Sequence, residues 1–269
     1  MMASDDRSAQ PGDLNRPSDG GRLKGRIALV TGGQQGIGAA ICAAMARDGA
    51  DVAVNWLDDA EAGEAVAAKA RASGVRAVAI QADIGTTQGR AHLQSETERR
   101  LGLPDILVCN AGIFPRADFL DLTEAMWDSV HGVNLKATAF QIQLFARALV
   151  AAGKPGAAVT MSSSAVRGDP KGAHYSATKT GLLGLTRSVA LAMADRGIRI
   201  NAIAPGLTDT AQPRHGNTEE QIAERVKAIP ISRLGQPQDI AEVACFLVSE
   251  QASWITGQVY HVNGGLYMP

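Results

Sequence analysis

The chain has 269 residues and 26 Lys+Arg against 27 Asp+Glu, a net charge of -1, so its overall field draws in neither nucleic acid nor an anionic membrane, and a small molecule is the expected partner. Cys42, Cys109 and Cys245 are too widely spaced for a disulfide framework or a zinc box and read as buried thiols in a reducing compartment. No apolar run approaches the roughly 18 residues of a membrane span and the N-terminus is polar, so the chain is read as cytoplasmic, with no membrane segment or leader.

Residues 1–22 are rich in Asp, Ser, Pro and Gly and read as a disordered tail ahead of one folded domain over 23–269. From Lys24 the texture changes. Ile27-Ala-Leu-Val30 is a short apolar run of the kind that forms a strand buried on both faces, and it leads into Thr31-Gly-Gly-Gln-Gln-Gly-Ile-Gly38 and then a helical pattern through Ile41, Met45 and Ala46. Strand-like runs recur at Asp51 to Asn55, Arg76 to Gln81, Ile106 to Cys109, Ala157 to Met161, Arg199 to Ala204 and Gln258 to Val262. Helical stretches lie between them at Ala60 to Ala72, Gly89 to Leu101, Met126 to Ala151, Tyr175 to Asp195, Glu219 to Lys227 and Pro237 to Ser249. This alternation predicts an α/β fold, a single doubly wound, Rossmann-like domain whose seven-stranded parallel sheet lies between helix layers. The polar segment Thr208 to Thr218 reads as a mobile loop.

Three constellations carry chemistry. Gly32, Gly36 and Gly38 follow a strand and open a helix, the setting in which glycines let a pyrophosphate approach the backbone and the helix N-terminus receive it, although the spacing is wider than G-x-G-x-x-G. Asp83 ends the third strand, where it could meet an adenine amino group or merely cap a helix, and Asn110-Ala111-Gly112 ends the fourth with small residues that leave room for a nucleotide. Tyr175 and Lys179 stand one helical turn apart, and an ammonium beside a phenol favours the phenolate, making the tyrosine a usable proton donor or acceptor. The second strand ends at Asn55-Trp56 without an acid, Asp58 and Asp59 come slightly later, and no Arg or Lys stands in the glycine loop. NAD and NADP both remain open as cofactor.

With these motifs in this order, the chain resembles the short-chain dehydrogenase/reductase family from Leu23 to Met268. The resemblance implies NAD(P)-dependent hydride transfer, with Tyr175 as general acid/base and Lys179 on the nicotinamide ribose. It implies that Asn134 supports a proton-relay water. Further cofactor contacts are implied for Gly32, Gln35, Gly36 and Ile37 in the glycine loop, for Asn55, Trp56, Asp83 and Ile84, for Asn110, Ala111 and Gly112, and for Pro205, Gly206, Thr208 and Thr210. Counting back from Tyr175 at the family's spacing selects Ser162 as the catalytic serine. Aligning the strand instead selects Ser163, the reading preferred here because loops tolerate a deletion better than strands tolerate a slip. The C-terminal turn usually carries Asp where this chain has Asn263.

No histidine cluster suggests a metal, and no G-x-S-x-G elbow suggests a hydrolase. The scattered histidines read as structural or surface residues, with His174, beside the tyrosine, the one that could touch substrate. Phe114, Arg116, Asp118, Arg167, Asp169, Lys171, Arg214 and His215 lie in loops that would set specificity and suit a hydroxylated or anionic substrate. The resemblance points to a sugar or polyol dehydrogenase or a 3-oxoacyl-type reductase. It also implies a homotetramer built through the two long helices and through the C-terminal strand and its preceding helix; Ala177, Gly181, Gly184 and Ala190 would permit close helix approach, and packing against the chain's own sheet accounts for them equally. The alternative is a non-catalytic NAD(P)-sensing protein, which an intact set of Asn134, serine, Tyr175 and Lys179 disfavours.

Overall fold

Alternate residues of each apolar run serve opposite faces of one sheet, which is why the runs are continuous. The structure, a computed structural model, describes residues 21–215 and 217–269, so most of the expected tail lies outside the described residues. Its strands are β1 (Ile27–Val30), β2 (Asp51–Trp56), β3 (Ala77–Gln81), β4 (Ile106–Cys109), β5 (Gly156–Met161), β6 (Ile198–Pro205) and β7 (Val259–Val262). All pair in parallel, in the order β3-β2-β1-β4-β5-β6-β7. The order reverses between β1 and β4, where the following loops diverge and leave a crevice at the strands' carboxyl ends.

The helices among the described residues are α1 (Gly36–Arg47), α2 (Ala60–Arg71), α3 (Thr87–Arg100), α4 (Glu124–His131), α5 (Ala137–Ala152), α6 (Ala173–Met193), the single turn α7 (Ala211–Arg214), α8 (Glu219–Lys227) and α9 (Pro237–Val248). Ala28, Val30, Val52, Val54, Val108 and Val159 join Ile41 and Met45 of α1 and Ile240 and Ala244 of α9 in one core layer. The intervening Leu29, Ala53, Leu107 and Ala158 join Leu93 of α3 and Phe145 and Leu149 of α5 in the other. All three cysteines are buried and free, and burial pushes the Cys109 thiol up to about 12.

Several sequence boundaries need correction. The helix expected over Met126 to Ala151 starts earlier, capped by the Thr123 hydroxyl, and is not uniform, because Gly132–Lys136 forms a π-turn between α4 and α5. Glycine at 153, with φ +62°, ends α5 in the left-handed conformation. Capped by Thr86, α3 starts at Thr87, two residues ahead of the expected Gly89. The fold also reaches back to Gly21: Arg22, placed above in the tail, pairs with Asp48 and, at 2.8 Å, with Glu242 of α9. The Thr208 to Thr218 segment contains α7 and is braced where Arg214 bridges Asp209 (2.6 Å) and Glu219 (2.9 Å).

Candidate active site

The loop after β1 is folded too tightly for side chains. Gly32 (φ +59°) would place a Cβ 2.9 Å from Ala111 Cα, and at Gly38 a Cβ would lie 2.1 Å from the Gly32 carbonyl oxygen. Gly36, at φ +53°, lies beneath Thr210, whose methyl would be 3.3 Å from a Cβ there. Gln35 precedes α1 without a capping side-chain bond, so the first N–H groups of this 12-residue helix stay open towards the crevice beside Ile37. An open helix N-terminus under a glycine cradle fits the pyrophosphate of a dinucleotide.

Asn55 departs from its expected position facing the cofactor. It is buried, its Oδ1 accepts from Gly32 N (3.1 Å), and its Nδ2 donates to the Ala82 carbonyl (3.0 Å). Its amide is therefore spent bracing the glycine loop against β3. Trp56 packs its ring on α2, where a Cβ at Gly63 would approach it to 2.6 Å. Asp58 brings a carboxylate instead, held by the Gln34 amide at 2.8 Å, so an acid stands beside the glycine loop although β2 does not end in one.

Asp83 does not cap α3. Its Oδ1 accepts from Gly85 N (2.8 Å) and the residue is exposed at the strand's end. Ile84 buries its side chain, while its carbonyl accepts from Arg90 at 2.7 Å. Asn110 locks β4 to the glycine loop through Nδ2 donations to the carbonyls of Thr31 (3.1 Å) and Gly32 (2.9 Å), and Ala111 N donates to Thr31 Oγ1 (3.1 Å).

Tyr175 and Lys179 leave the same face of α6, and both are nine-tenths or more buried. The ammonium lies 5.4 Å from the phenol ring centroid and donates to the Met161 carbonyl at 2.7 Å. Asn134, in the π-turn, binds the loop after β4 as a second backbone would: Oδ1 accepts from Ile113 N (2.8 Å) and Nδ2 donates to Ile113 O (2.9 Å). Gly112 lies between Asn134 and Lys179, with a Cβ there 3.2 Å from Asn134 Oδ1 and 3.5 Å from Lys179 Nζ. The asparagine, the lysine and the β4 loop thus share one small space.

The two serines separate by what their hydroxyls already do. Ser162 is buried and donates to the Lys179 carbonyl at 2.8 Å. Ser163 only accepts, from Ala165 N at 3.1 Å, so its proton stays free at the cleft wall. His174 does not touch the cleft: it is fully buried, with Nε2 2.8 Å from the Pro115 carbonyl oxygen, and joins α6 to the β4 loop. Phe114 stacks on the Tyr175 ring, centroids 4.1 Å apart.

A cleft of about 250 Å³ collects these groups. Tyr175, Lys179, Ser162 and Ser163 line it with Asn110 and Gly112, and Pro205, Gly206, Thr208 and Thr210 close the side towards β6. Gly206 must be glycine, since a Cβ would come 2.6 Å from Asn263 Cα. Asn134 stands buried behind the wall, and Gln35, Asp83 and Ile84 lie beyond the cleft, along the sheet's edge towards β3. Sequence reasoning missed Gln34, Ile113 and Arg225: the first acts through Asp58, the second through its backbone, and the third only because α8 folds back over the cleft. Among the described residues no group of acidic, His or Cys side chains could hold a metal.

A glycine cradle at the switch point of a doubly wound sheet, with a buried Tyr–Lys pair beside it, defines a dinucleotide-dependent oxidoreductase. A family model described as Enoyl-(Acyl carrier protein) reductase matches residues 32–267. The chain is 40% identical over 247 residues to the 3-oxoacyl-[acyl-carrier-protein] reductase FabG of Staphylococcus aureus strain Mu50, covering 90% of this chain and 98% of that one. It is 35% identical over 248 residues to the L-rhamnose 1-dehydrogenase (NAD(P)(+)) of Sphingomonas sp. strain SKA58, covering 91% and 98%. Among solved structures, a 7 alpha-hydroxysteroid dehydrogenase complexed with NADH and 7-oxo glycochenodeoxycholic acid superposes with a TM-score of 0.86 at 34% identity, over 91% of this chain and 95% of that one. The chain belongs to the short-chain dehydrogenase/reductase family and is an NAD(P)-dependent oxidoreductase.

Proposed function

We propose that the enzyme interconverts a secondary alcohol or hemiacetal with its carbonyl on a small polar substrate, a sugar, a polyol or a 3-oxoacyl compound, with Tyr175 moving the proton on the reacting oxygen. The observation that carries this reading is the convergence of Tyr175, Lys179 and the free hydroxyl of Ser163 on one cleft at the switch point. When bound, the nicotinamide supplies or accepts the hydride. In the oxidative direction Tyr175 takes the hydroxyl proton as the carbon gives up its hydride; in reduction it returns the proton to the oxygen. Ser163 donates a hydrogen bond to that oxygen and fixes its position. The Lys179 ammonium, held beside the phenol by the Met161 carbonyl, takes the nicotinamide ribose. Asn134 holds Ile113 and so fixes the floor of the cleft at Gly112. The α1 N-terminus takes the pyrophosphate, and Asp83 takes the adenine end.

The same reading makes the enzyme a cytoplasmic homotetramer. Support for assembly comes from Trp254 and Leu191, which are 99% and 84% exposed, and from Ala177 and Gly184, which leave an open face on α6. Gly181 and Ala190 do not contribute to that face, because Gly181 packs on Leu135 and Ala190 belongs to the core.

The test is turnover by Tyr175→Phe against aldoses, polyols and 3-oxoacyl thioesters with NAD and NADP. The variant should bind cofactor as the wild type does and lose at least about a hundredfold in kcat, the lower range for a positioned general acid/base. Retained turnover removes Tyr175 from the reaction.

A further inference from the structure

A protein with a net charge of -1 concentrates positive charge at this one cleft. Its lining carries four cationic side chains, Arg116, Arg167, Lys179 and Arg225, against the single carboxylate of Asp169. Lys179 is accounted for by the proposed chemistry. The three arginines are not, and they differ from most arginines elsewhere in the chain. Arg22, Arg26, Arg47, Arg71, Arg76, Arg214 and Arg233 each pair with a carboxylate. By contrast, none of Arg116, Arg167 and Arg225 has an ion pair among the described residues. Arg167 reaches only the Leu266 carbonyl, at 3.5 Å, and Arg116 only the face of Phe114, 5.2 Å from the ring centroid.

Two other cations that the sequence suggested for substrate are already neutralised. Lys171 lies 3.8 Å from Asp118, and Arg214 is bridged by Asp209 and Glu219. What remains unneutralised is therefore selected by position as well as by charge.

Arg116 is also preorganised. Its loop is tied to the first turn of α6 by the His174–Pro115 contact, to Lys171 through Ala117 N (3.1 Å), and to Asn134 through Ile113. A guanidinium lying on an aromatic face keeps its N–H edge free, the geometry in which arginine grips a carboxylate or phosphate with two parallel hydrogen bonds. Phe114 in turn stacks on Tyr175, so the free N–H edge is held one ring away from the proposed proton donor. Arg116 enters from the loop after β4, Arg167 from the turn after β5 and Arg225 from α8, while the glycine cradle that suits the pyrophosphate lies after β1.

We propose that the substrate carries an anionic group, a carboxylate or a phosphate monoester, which Arg116, Arg167 and Arg225 bind while the reacting carbon lies at Tyr175. This rests on the enzyme reading above and deepens it. An acidic carrier protein docking on the rim is the less favoured source of negative charge, because Arg116 is half-buried on a clamped loop.

The test uses the wild type saturated with reduced cofactor, titrated with gluconate, with glucose 6-phosphate and with neutral glucose, and read by nicotinamide fluorescence. At least one anion should bind tenfold or more tighter than glucose and weaken as salt rises, and comparison of the two anions identifies which group the site takes. Arg116→Gln, Arg167→Gln and Arg225→Gln should each raise the Kd of that anion fivefold or more while the Kd of the cofactor stays within twofold. Equal binding of glucose and both anions overturns the proposal, as does a loss of cofactor affinity in the variants that matches their loss of anion. Failure of the enzyme reading looks different: the cofactor does not bind, or Tyr175→Phe turns over normally.

Discussion

At the residue scale, two neighbouring hydroxyls give opposite predictions. Ser163 has a proton to donate at the cleft wall, whereas Ser162 has committed its own to the Lys179 carbonyl. Ser163→Ala should lower kcat by about a hundredfold, the loss of one donor to a developing oxyanion, beyond any small cost of losing its bond from Ala165 N. Ser162→Ala should instead cost about 1 kcal/mol of stability by removing a buried hydrogen bond to α6, with a much smaller effect on kcat. Unfolding curves and initial rates on the two variants separate the roles, and the reverse pattern would return the catalytic serine to the position that gapless counting selects. Spacing alone left the two serines as alternatives because it does not report where a hydroxyl proton points. Asp58 is a second such case. Its carboxylate, drawn towards the glycine loop by Gln34, stands where it would favour a ribose hydroxyl and repel a 2'-phosphate. Asp58→Asn should raise the NADP-to-NAD ratio of kcat/KM by about tenfold, about 1.4 kcal/mol; an unchanged ratio would place Asp58 outside the cofactor site.

At the element scale, the strands were legible because burial on both faces leaves an uninterrupted apolar run, as at Ile106-Leu-Val-Cys109, where Ile106 and Val108 go to one core layer and Leu107 and Cys109 to the other. The π-turn was not legible. One extra residue shifts the phase of the apolar stripe only once, too little to stand out in a long helical pattern, and its use becomes visible only when Asn134 meets the Ile113 backbone. The inward turn of Asn55 was hidden for the same reason: its partners, Gly32 and Ala82, are brought to it by the fold. Helix contacts add a prediction of their own. Glu242 of α9 receives Arg47 of α1 (2.6 Å) and Arg22 (2.8 Å), and these hydrogen bonds, Arg47's foremost, hold its carboxyl below the ordinary glutamate value. A lowered value means a contribution that is complete above the ordinary value and fades as pH falls through the lowered one. Because Glu242 is half exposed, the contribution is small, no more than about 1 kcal/mol. Glu242→Gln should therefore lower stability slightly at pH 7, and the difference from wild type should vanish under acid. A constant difference across the pH range would mean that packing, not charge, holds this contact.

At the scale of the whole molecule, the apolar residues left outside both core layers bear on assembly. Phe140 and Trp127 are 43% and 39% exposed on the long helical stretch that carries the π-turn, and Leu191 is exposed on α6. Leu191 also borders a groove between α6 and β7, while Trp254 stands on the turn before β7. Trp127 of α4, Phe140 of α5, Leu191 of α6 and Trp254 are the large apolar groups that an interface between copies of the chain would cover. An assembly with twofold axes could cover them by repeating each patch against itself. The wild type is expected to run in light scattering near four times its chain mass of 28.0 kDa at micromolar concentration. Leu191→Glu places a charge on one such face and should yield a smaller species with an unchanged circular dichroism spectrum, since Leu191 makes no part of the core. Catalysis should survive in that species if each cleft is complete within one chain. A monomeric wild type would remove the homotetramer while leaving the site untouched. A smaller but inactive Leu191→Glu species would mean that assembly holds α6, and with it Tyr175 and Lys179, in the working position.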